Sequence, residues 1–261
     1  SFLSGIALGS AFASRSARSP ERAARAFGQA QLFIAGASLA VFAALDAAPE
    51  LASAIGAGRD APLANAAVAA LLLLPAAFGI GVTFPLAVRV VATGPEQVAA
   101  ATARVYAWNT AGAIVGSLGT GYFGLPALGY RGVLLGALGL NLALAAASLG
   151  LLRAAAAQAR SRRLALCAAL LALALWTPAP RRLLASSPFD LSGPAPQVLF
   201  HGVGRSASVS AVVGRQGALE IRSNGLAESN IRLAGEAETY SYAWLAALAS
   251  LLRPEARELL V

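Results

Sequence analysis

The chain has few charged residues and lacks two residue types entirely. Only 12% of its 261 residues are charged and 57% are hydrophobic, whereas about a quarter of the residues in a soluble domain are charged. Lys and Met are absent and Ala and Leu dominate, which indicates coding bias in a GC-rich genome. The single Cys167 can form no intrachain disulfide. This composition excludes an ordinary soluble domain and indicates a membrane protein.

The net charge of +8 lies in gaps between the apolar stretches. Arg residues cluster in 15–25 and 153–163, without the interleaved aromatic residues of a nucleic-acid surface. Basic loops of a membrane protein explain them better, so no nucleic acid partner is expected. No Asp, Glu or His lies in the middle of an apolar stretch, which argues against an ion-driven transporter.

Six apolar stretches are predicted to cross a bilayer, because a hydrocarbon core of about 30 Å needs about 20 helical residues. They are Ser1–Ser14, Phe27–Leu45, Leu63–Val91, Val105–Leu125, Gly132–Leu152 and the short Leu164–Thr177. The gaps at Arg15–Arg25 and Arg153–Arg163 belong in the cytoplasm, and the gap with Asp46, Glu50 and Asp60 belongs outside. The gap from Arg89 to Arg104 then falls in the cytoplasm by alternation. Residues 1–177 thus form a helical membrane domain, and the abrupt start at Ser1 predicts a truncated first helix.

Small residues one helical turn apart predict close packing of the helices. Such pairs are Gly5 and Gly9, Gly112 and Gly116, and Gly132 and Gly136. Pro75 and Pro85 interrupt the third stretch, where we favour a kinked, overhanging helix over a broken helix at a transport site. Asn109 either bonds a neighbouring helix or lines a polar cavity, and packing is the favoured interpretation.

The pattern changes after Thr177. Residues 178–200 are rich in Pro and form a predicted linker. Residues 201–235 are a predicted small antiparallel β meander with strands at 206–213, 218–222 and 226–230, the last two joined by a type I′ turn at Asn224-Gly225. Residues 236–261 predict a helix and the first strand of a truncated Rossmann-like α/β domain.

Segments of both halves resemble bacterial proteins in which major-facilitator-like helices are fused to a spermidine synthase domain. In the membrane half the similar runs are Tyr106-Ala-Trp-Asn-Thr-Ala-Gly-Ala-Ile-Val-Gly116-Ser and Gly121-Tyr-Phe-Gly-Leu-Pro-Ala-Leu-Gly129. In the second half they are Leu219-Glu-Ile-Arg-Ser-Asn-Gly225 and Leu252-Arg-Pro-Glu-Ala-Arg-Glu-Leu-Leu-Val261. The resemblance spans almost the whole chain.

This resemblance implies a multi-pass protein of the bacterial inner membrane. Its full-length form would transfer an aminopropyl group from decarboxylated S-adenosylmethionine, as co-substrate, to putrescine or a related amine. The family's nucleoside-binding loop and catalytic Asp are expected beyond Val261, so no catalytic residue, bound cofactor or metal is predicted here. The expected partners are the lipid bilayer and a small-molecule amine, with a homodimer left open.

Two residues are predicted to bind the amine, because a carboxylate and an aromatic face attract a cation. They are Glu228 and Tyr240. His201 could face the same substrate cleft. The favoured alternatives are a solvated strand residue for Glu228, a core residue for Tyr240, and a loop residue before the first strand for His201. The family has Gln at the position of Glu228 and a His that the aromatic helix here lacks. Because of these differences a second interpretation stays open, namely a transporter-like or scaffold protein whose synthase-like domain binds a ligand without catalysis.

The side of the membrane on which the second half lies depends on Leu164–Thr177. As a span, this stretch places the second half outside, although the sulfonium co-substrate is made inside. Its fourteen residues reach only about 21 Å as a helix. Arg162 and Arg163 at one end and Trp176 at the other fit the two interfaces. We therefore favour a span and an extracytoplasmic second half.

Overall fold

The computed structural model consists mainly of apolar helices, followed by a small antiparallel sheet. It describes residues 1–16, 19–56, 61–92, 94–149, 157–180, 197–213, 217–232 and 251. The helices are α1 (Phe2–Ser16), α2 (Pro20–Ala44), α3 (Ala48–Ala54), α4 (Pro62–Val91), α5 (Val98–Gly119), α6 (Leu125–Ser148) and α7 (Ala157–Trp176). The strands are β1 (Gln197–Val203), β2 (Ser208–Val213), β3 (Ala218–Ser223) and β4 (Leu226–Arg232). The coarse prediction of apolar helices before a β meander is confirmed.

Three helical runs among the described residues are long and apolar enough to cross a membrane: Pro20–Ala54, Pro62–Val91 and Pro95–Ser148. The first and last predicted spans fall in shorter apolar helices, Phe2–Ser14 and Ala165–Trp176. The third run contains two predicted spans, and its backbone leaves the helical region at Gly129, with φ 64° and ψ −179°. Six spans therefore stay a prediction.

Proline shapes two of these helices differently. Helix α4 continues through Pro75 and Pro85 for 30 residues, about 45 Å, which is longer than a hydrocarbon core of about 30 Å requires. A π-helical turn at Thr120–Gly124 joins α5 to α6 just before Pro126. Pro126 has no N–H for the carbonyl four residues earlier and its ring crowds that carbonyl, so a local widening of the helix there has a steric cause.

Helix α2 is the centre of the helical part, because all three buried clusters include it or pack against it. Ala23 and Ala30 pack with Ala13 of α1 and with Val82 and Leu86 of α4. The other side of α2 meets α6 and α7 in a cluster of Ala35, Leu39, Leu138, Leu142 and Ala174. Leu32 of α2 packs against a third cluster, which is formed by Ala145 and Leu149.

Glycine allows α1 to lie directly on α4. A Cβ at Gly5 would lie 2.7 Å from the Cβ of Ala77, and one at Gly9 would meet the backbone of Phe78. On the facing helix, a Cβ at Gly81 would meet the backbone of Ile6. The Gly5 and Gly9 packing face is confirmed. Gly112, Gly116 and Gly136 have no atom within 4 Å of such a Cβ among the described residues, so the structure gives them no packing partner.

The sheet has the strand order β1-β2-β3-β4, with every neighbouring pair antiparallel. Asn224 has φ 50° and Gly225 has φ 81°, which confirms the two-residue turn that requires positive φ at both positions. Strand β1 begins at Gln197, inside the predicted linker 178–200, and does not follow from the sequence pattern. This strand contains His201, for which a loop is the favoured prediction. Of the helix and strand predicted in 236–261, only Leu251 is among the described residues, and it is helical. The rest of that prediction lies outside them.

We expect Gly81→Ala to destabilise the contact between α1 and α4, because even a methyl group would collide with the Ile6 backbone. Overpacking of this kind costs about 1–3 kcal/mol. Thermal unfolding of the detergent-solubilised chain, followed by size-exclusion chromatography, measures the effect. Gly116→Ala is the matched control, since the added methyl group meets no neighbour within the described part of the chain. Equal losses of thermal stability in the two variants would contradict the proposed contact.

Candidate functional site

A cleft of about 520 Å³ lies between α2, α4, α5 and α6. Most of its wall is apolar, and four residues carry polar groups. The lining residues are Phe27, Thr83, Phe84, Ala87, Val91, Arg104, Val105, Trp108, Asn109 and Leu144. Its volume lies within the range of small-molecule sites, which also combine an apolar wall with a few polar groups.

Helical periodicity brings the polar groups of the cleft together. Arg104 and Trp108 are four residues apart on α5, and so are Val105 and Asn109, so these two pairs form one face of the helix. The facing side of α4 supplies Thr83, whose hydroxyl donates to the Ile80 carbonyl at 2.6 Å. Because its proton is used in this bond, that hydroxyl can only accept a further hydrogen bond.

Arg104 is the only ionisable residue in the lining. Its guanidinium makes no hydrogen bond or ion pair within the part of the chain that the structure describes. The side chains of Arg104, Trp108 and Asn109 are exposed. The cleft therefore offers a cation and two neighbouring N–H donors above an apolar wall, which suits an anionic ligand with an apolar part.

Asn109 lines this cleft, which is the alternative that the sequence left open. Among the described residues its amide makes no hydrogen bond to a neighbouring helix, and the packing role stays a prediction. The sequence pattern places Arg104 at the end of a cytoplasmic gap and does not predict that it belongs to a binding site. The spacing from Arg104 to Trp108 and Asn109 was the available signal, but the sequence does not reveal which helix faces them.

Arg131 on α6 has a structural partner. Its guanidinium Nη2 donates to the carbonyl of Leu175, in the last turn of α7. Carbonyl groups at a helix C-terminus lack intrahelical partners and carry a partial negative charge, so a cation stabilises them. Thr177 adds a hydrogen bond from its hydroxyl to the Leu173 carbonyl at 2.8 Å. The end of α7 is thereby held beside the early part of α6.

A row of polar side chains crosses the sheet on one face. His201, Ser210 and Arg222 are register partners on β1, β2 and β3. The His201 Nδ1 and the Ser210 Oγ are 3.1 Å apart. The Arg222 Nε and Nη2 donate to Glu220 Oε2 at 2.9 and 2.6 Å. Both side chains of this ion pair are largely buried.

The Ser210 and His201 pair is not arranged for nucleophilic catalysis. Ser210 is only 1% exposed, so a substrate has no access to its hydroxyl. In a catalytic triad a carboxylate orients the imidazole, whereas the buried His201 Nε2 has no hydrogen-bond partner among the described residues. The row therefore stabilises the sheet, because hydrogen bonds and an ion pair satisfy most of its buried polar groups.

Glu228 lies at an irregularity of β4. The pairing shifts between Ile221, opposite Ser229, and Arg222, opposite Ala227, so Glu228 is the extra residue of a β-bulge. Its side chain is exposed, and bulges often redirect a side chain next to a binding site. Tyr240 lies outside the described residues, so the prediction that it binds the amine together with Glu228 stays a prediction.

No group of three or more His, Cys, Asp or Glu suited to a metal ion occurs in the described ranges. No protein-family model matches the chain, and neither the curated proteins nor the solved structures contain a significant match.

We expect Glu220→Gln to destabilise the sheet, because it removes the charge that pairs with the buried Arg222 guanidinium. Loss of this partner should cost about 2–3 kcal/mol. Hydrogen exchange of the β2 and β3 amides, followed by mass spectrometry, should accelerate more than tenfold. Glu228→Gln, on the exposed bulge, is the control and should leave exchange unchanged. Equal exchange in Glu220→Gln and the parent chain would refute a stabilising role for the pair.

Proposed function

We propose that the chain belongs to a multi-pass protein of the bacterial inner membrane, of the fused major-facilitator-like and spermidine-synthase-like type. In its full-length form it transfers an aminopropyl group to putrescine or a related amine. The observation that carries the proposal is the order of the parts: apolar helices of membrane-spanning length precede a small antiparallel meander with its Asn224-Gly225 turn. The sequence motifs that resemble this family lie in both parts.

The proposed reaction joins an amine nitrogen to the aminopropyl carbon next to the sulfonium of decarboxylated S-adenosylmethionine. The C–N bond forms as the C–S bond breaks, the sulfur leaves as a neutral thioether, and a base takes the proton from nitrogen. The expected base and nucleoside-binding loop are not among residues 1–261. Within this chain, Glu228 contributes by attracting the cationic amine from its exposed position on the bulge.

The second candidate is a transporter-like or scaffold membrane protein whose synthase-like domain binds a ligand without catalysis. The cleft beside Arg104 favours it, because a site in the membrane helices has no role in aminopropyl transfer at the sheet. Glu228, at the position where the family has Gln, favours it too.

The purified complete gene product should form an aminopropylated amine from decarboxylated S-adenosylmethionine and putrescine. Glu228→Gln should raise KM for the amine roughly two- to fivefold, with kcat nearly unchanged, because an exposed ion pair contributes little. Added salt should reduce this difference. Mass spectrometry of the products measures turnover. Nucleoside binding without product from any of several amines would reject the transferase in favour of the second candidate.

We propose further that α7 is a span, with the sheet on the extracytoplasmic side. Helix α7 has 20 residues, about 30 Å, and is longer than the apolar stretch alone. Its Cys167, Leu170 and Ala174 belong to the same cluster as Leu138 and Leu142 of α6, and its C-terminus is bonded to Arg131. A helix packed along a second membrane helix in this way supports a full crossing.

A reporter fused after Pro196 tests this side assignment. We expect alkaline phosphatase to be active there, because the enzyme works only outside the cytoplasm. The same reporter fused after Arg153, in an Arg-bearing gap, should be inactive. Fluorescence of a cytoplasm-only reporter after Pro196 would reverse the assignment, and would bring the sheet to the side on which the sulfonium co-substrate is made.

A further inference from the structure

The cleft beside Arg104 lies at the ends of several predicted spans. Phe27 is the first residue of one span, Val91 is the last residue of α4, and Arg104 directly precedes the span at Val105. The gaps next to these residues are the Arg-bearing ones that the positive-inside rule assigns to the cytoplasm. The cleft therefore opens at the level of the headgroups in the cytoplasmic leaflet.

The chemistry of the cleft varies with depth. The Arg104 guanidinium is exposed at the headgroup level and has no partner among the described residues. Trp108 is 77% exposed, and tryptophan is enriched at membrane interfaces, where its ring contacts acyl chains and its N–H contacts polar groups. The apolar residues Phe27, Phe84 and Leu144 complete the wall. A ligand that fits has an anionic head and an apolar chain.

We propose that this cleft binds an anionic phospholipid of the cytoplasmic leaflet. The Arg104 guanidinium pairs with the phosphate, which it matches with two parallel N–H donors. The Trp108 indole and the Asn109 amide lie on the same face of α5 and provide further N–H donors. The acyl chain lies along the aromatic and aliphatic wall. Basic pockets between membrane helices on the cytoplasmic side bind lipid headgroups in this way.

Trp108 provides a direct probe, since the chain contains only three Trp residues. Trp176→Phe and Trp244→Phe leave Trp108 as the single tryptophan of the chain, and excitation at about 295 nm avoids its five Tyr residues. This chain is reconstituted in phosphatidylcholine vesicles with either phosphatidylglycerol or phosphatidylcholine brominated on the acyl chain. Quenching of Trp108 reports occupancy by each lipid. The measurement involves no amine transfer and both vesicle faces carry the same lipids, so it is independent of the transferase and of orientation.

Brominated phosphatidylglycerol should quench Trp108 at a lower mole fraction than brominated phosphatidylcholine. Arg104→Gln should lower the relative association constant of the anionic lipid about tenfold, as expected for loss of a charge-assisted hydrogen-bonded pair. Arg104→Lys should retain part of the preference. Arg25→Gln removes an exposed charge in a neighbouring cytoplasmic gap, outside the lining, and should retain the full preference. An unchanged size-exclusion profile checks folding of each variant.

Three results would overturn the proposal. The first is equal quenching by the two brominated lipids. The second is an equal loss of preference in Arg25→Gln and Arg104→Gln, which would show general attraction to a charged surface. The third is competition by millimolar inorganic phosphate that abolishes the phosphatidylglycerol preference, which would assign the cleft to a soluble anion.

Discussion

Close backbone packing around α2 and α4 is the constraint on which the helical part depends. Lipid is as apolar as the helix surfaces, so the hydrophobic effect does not drive helices together within a bilayer, and van der Waals contact must do so. Gly9 and Gly81 let α1 lie on α4, and Gly79 meets Ile34 of α2, where a Cβ would lie 2.7 Å from the Ile34 Cγ1. Side chains at these positions would separate the helices, and the cleft between α4 and α5 would lose its fixed wall.

Arg131 and Arg104 differ in whether the guanidinium has a hydrogen-bond partner. Arg131 bonds the carbonyl of Leu175 and so ties α7 to α6. Arg104 lines the cleft without such a bond among the described residues. A charge in largely apolar surroundings is costly unless it is paired or hydrated. Arg131 is therefore a structural residue, whereas Arg104 presents an unused charge to a ligand.

The buried face of the sheet carries polar side chains beside the apolar Val212. Ser208, Ser210 and Arg222 are buried on one face, whereas Val209 and Ile221 are 41% and 38% exposed on the other. The turn residue Asn224 joins this arrangement, since its Oδ1 accepts from the Ser208 N–H at 3.0 Å. The Asn224-Gly225 turn thus sets the register of β3 and β4 and also holds the start of β2.

The sequence alone determined the apolar helices, the change of pattern after Thr177 and the Asn224-Gly225 turn. Each of these depends on local composition or on a backbone conformation that few residues adopt. Strand β1 was not predictable because Gln197–Val203 lacks a clear alternation and follows a Pro-rich stretch, so only its pairing with β2 defines it. The bulge at Glu228 likewise arises from pairing between strands. The cleft required the tertiary structure, because periodicity shows that Arg104, Trp108 and Asn109 share a face but not that α4 lies opposite them. Contacts between distant segments depend on which surfaces fit together, and that fit is a property of the packed helices and not of any one of them.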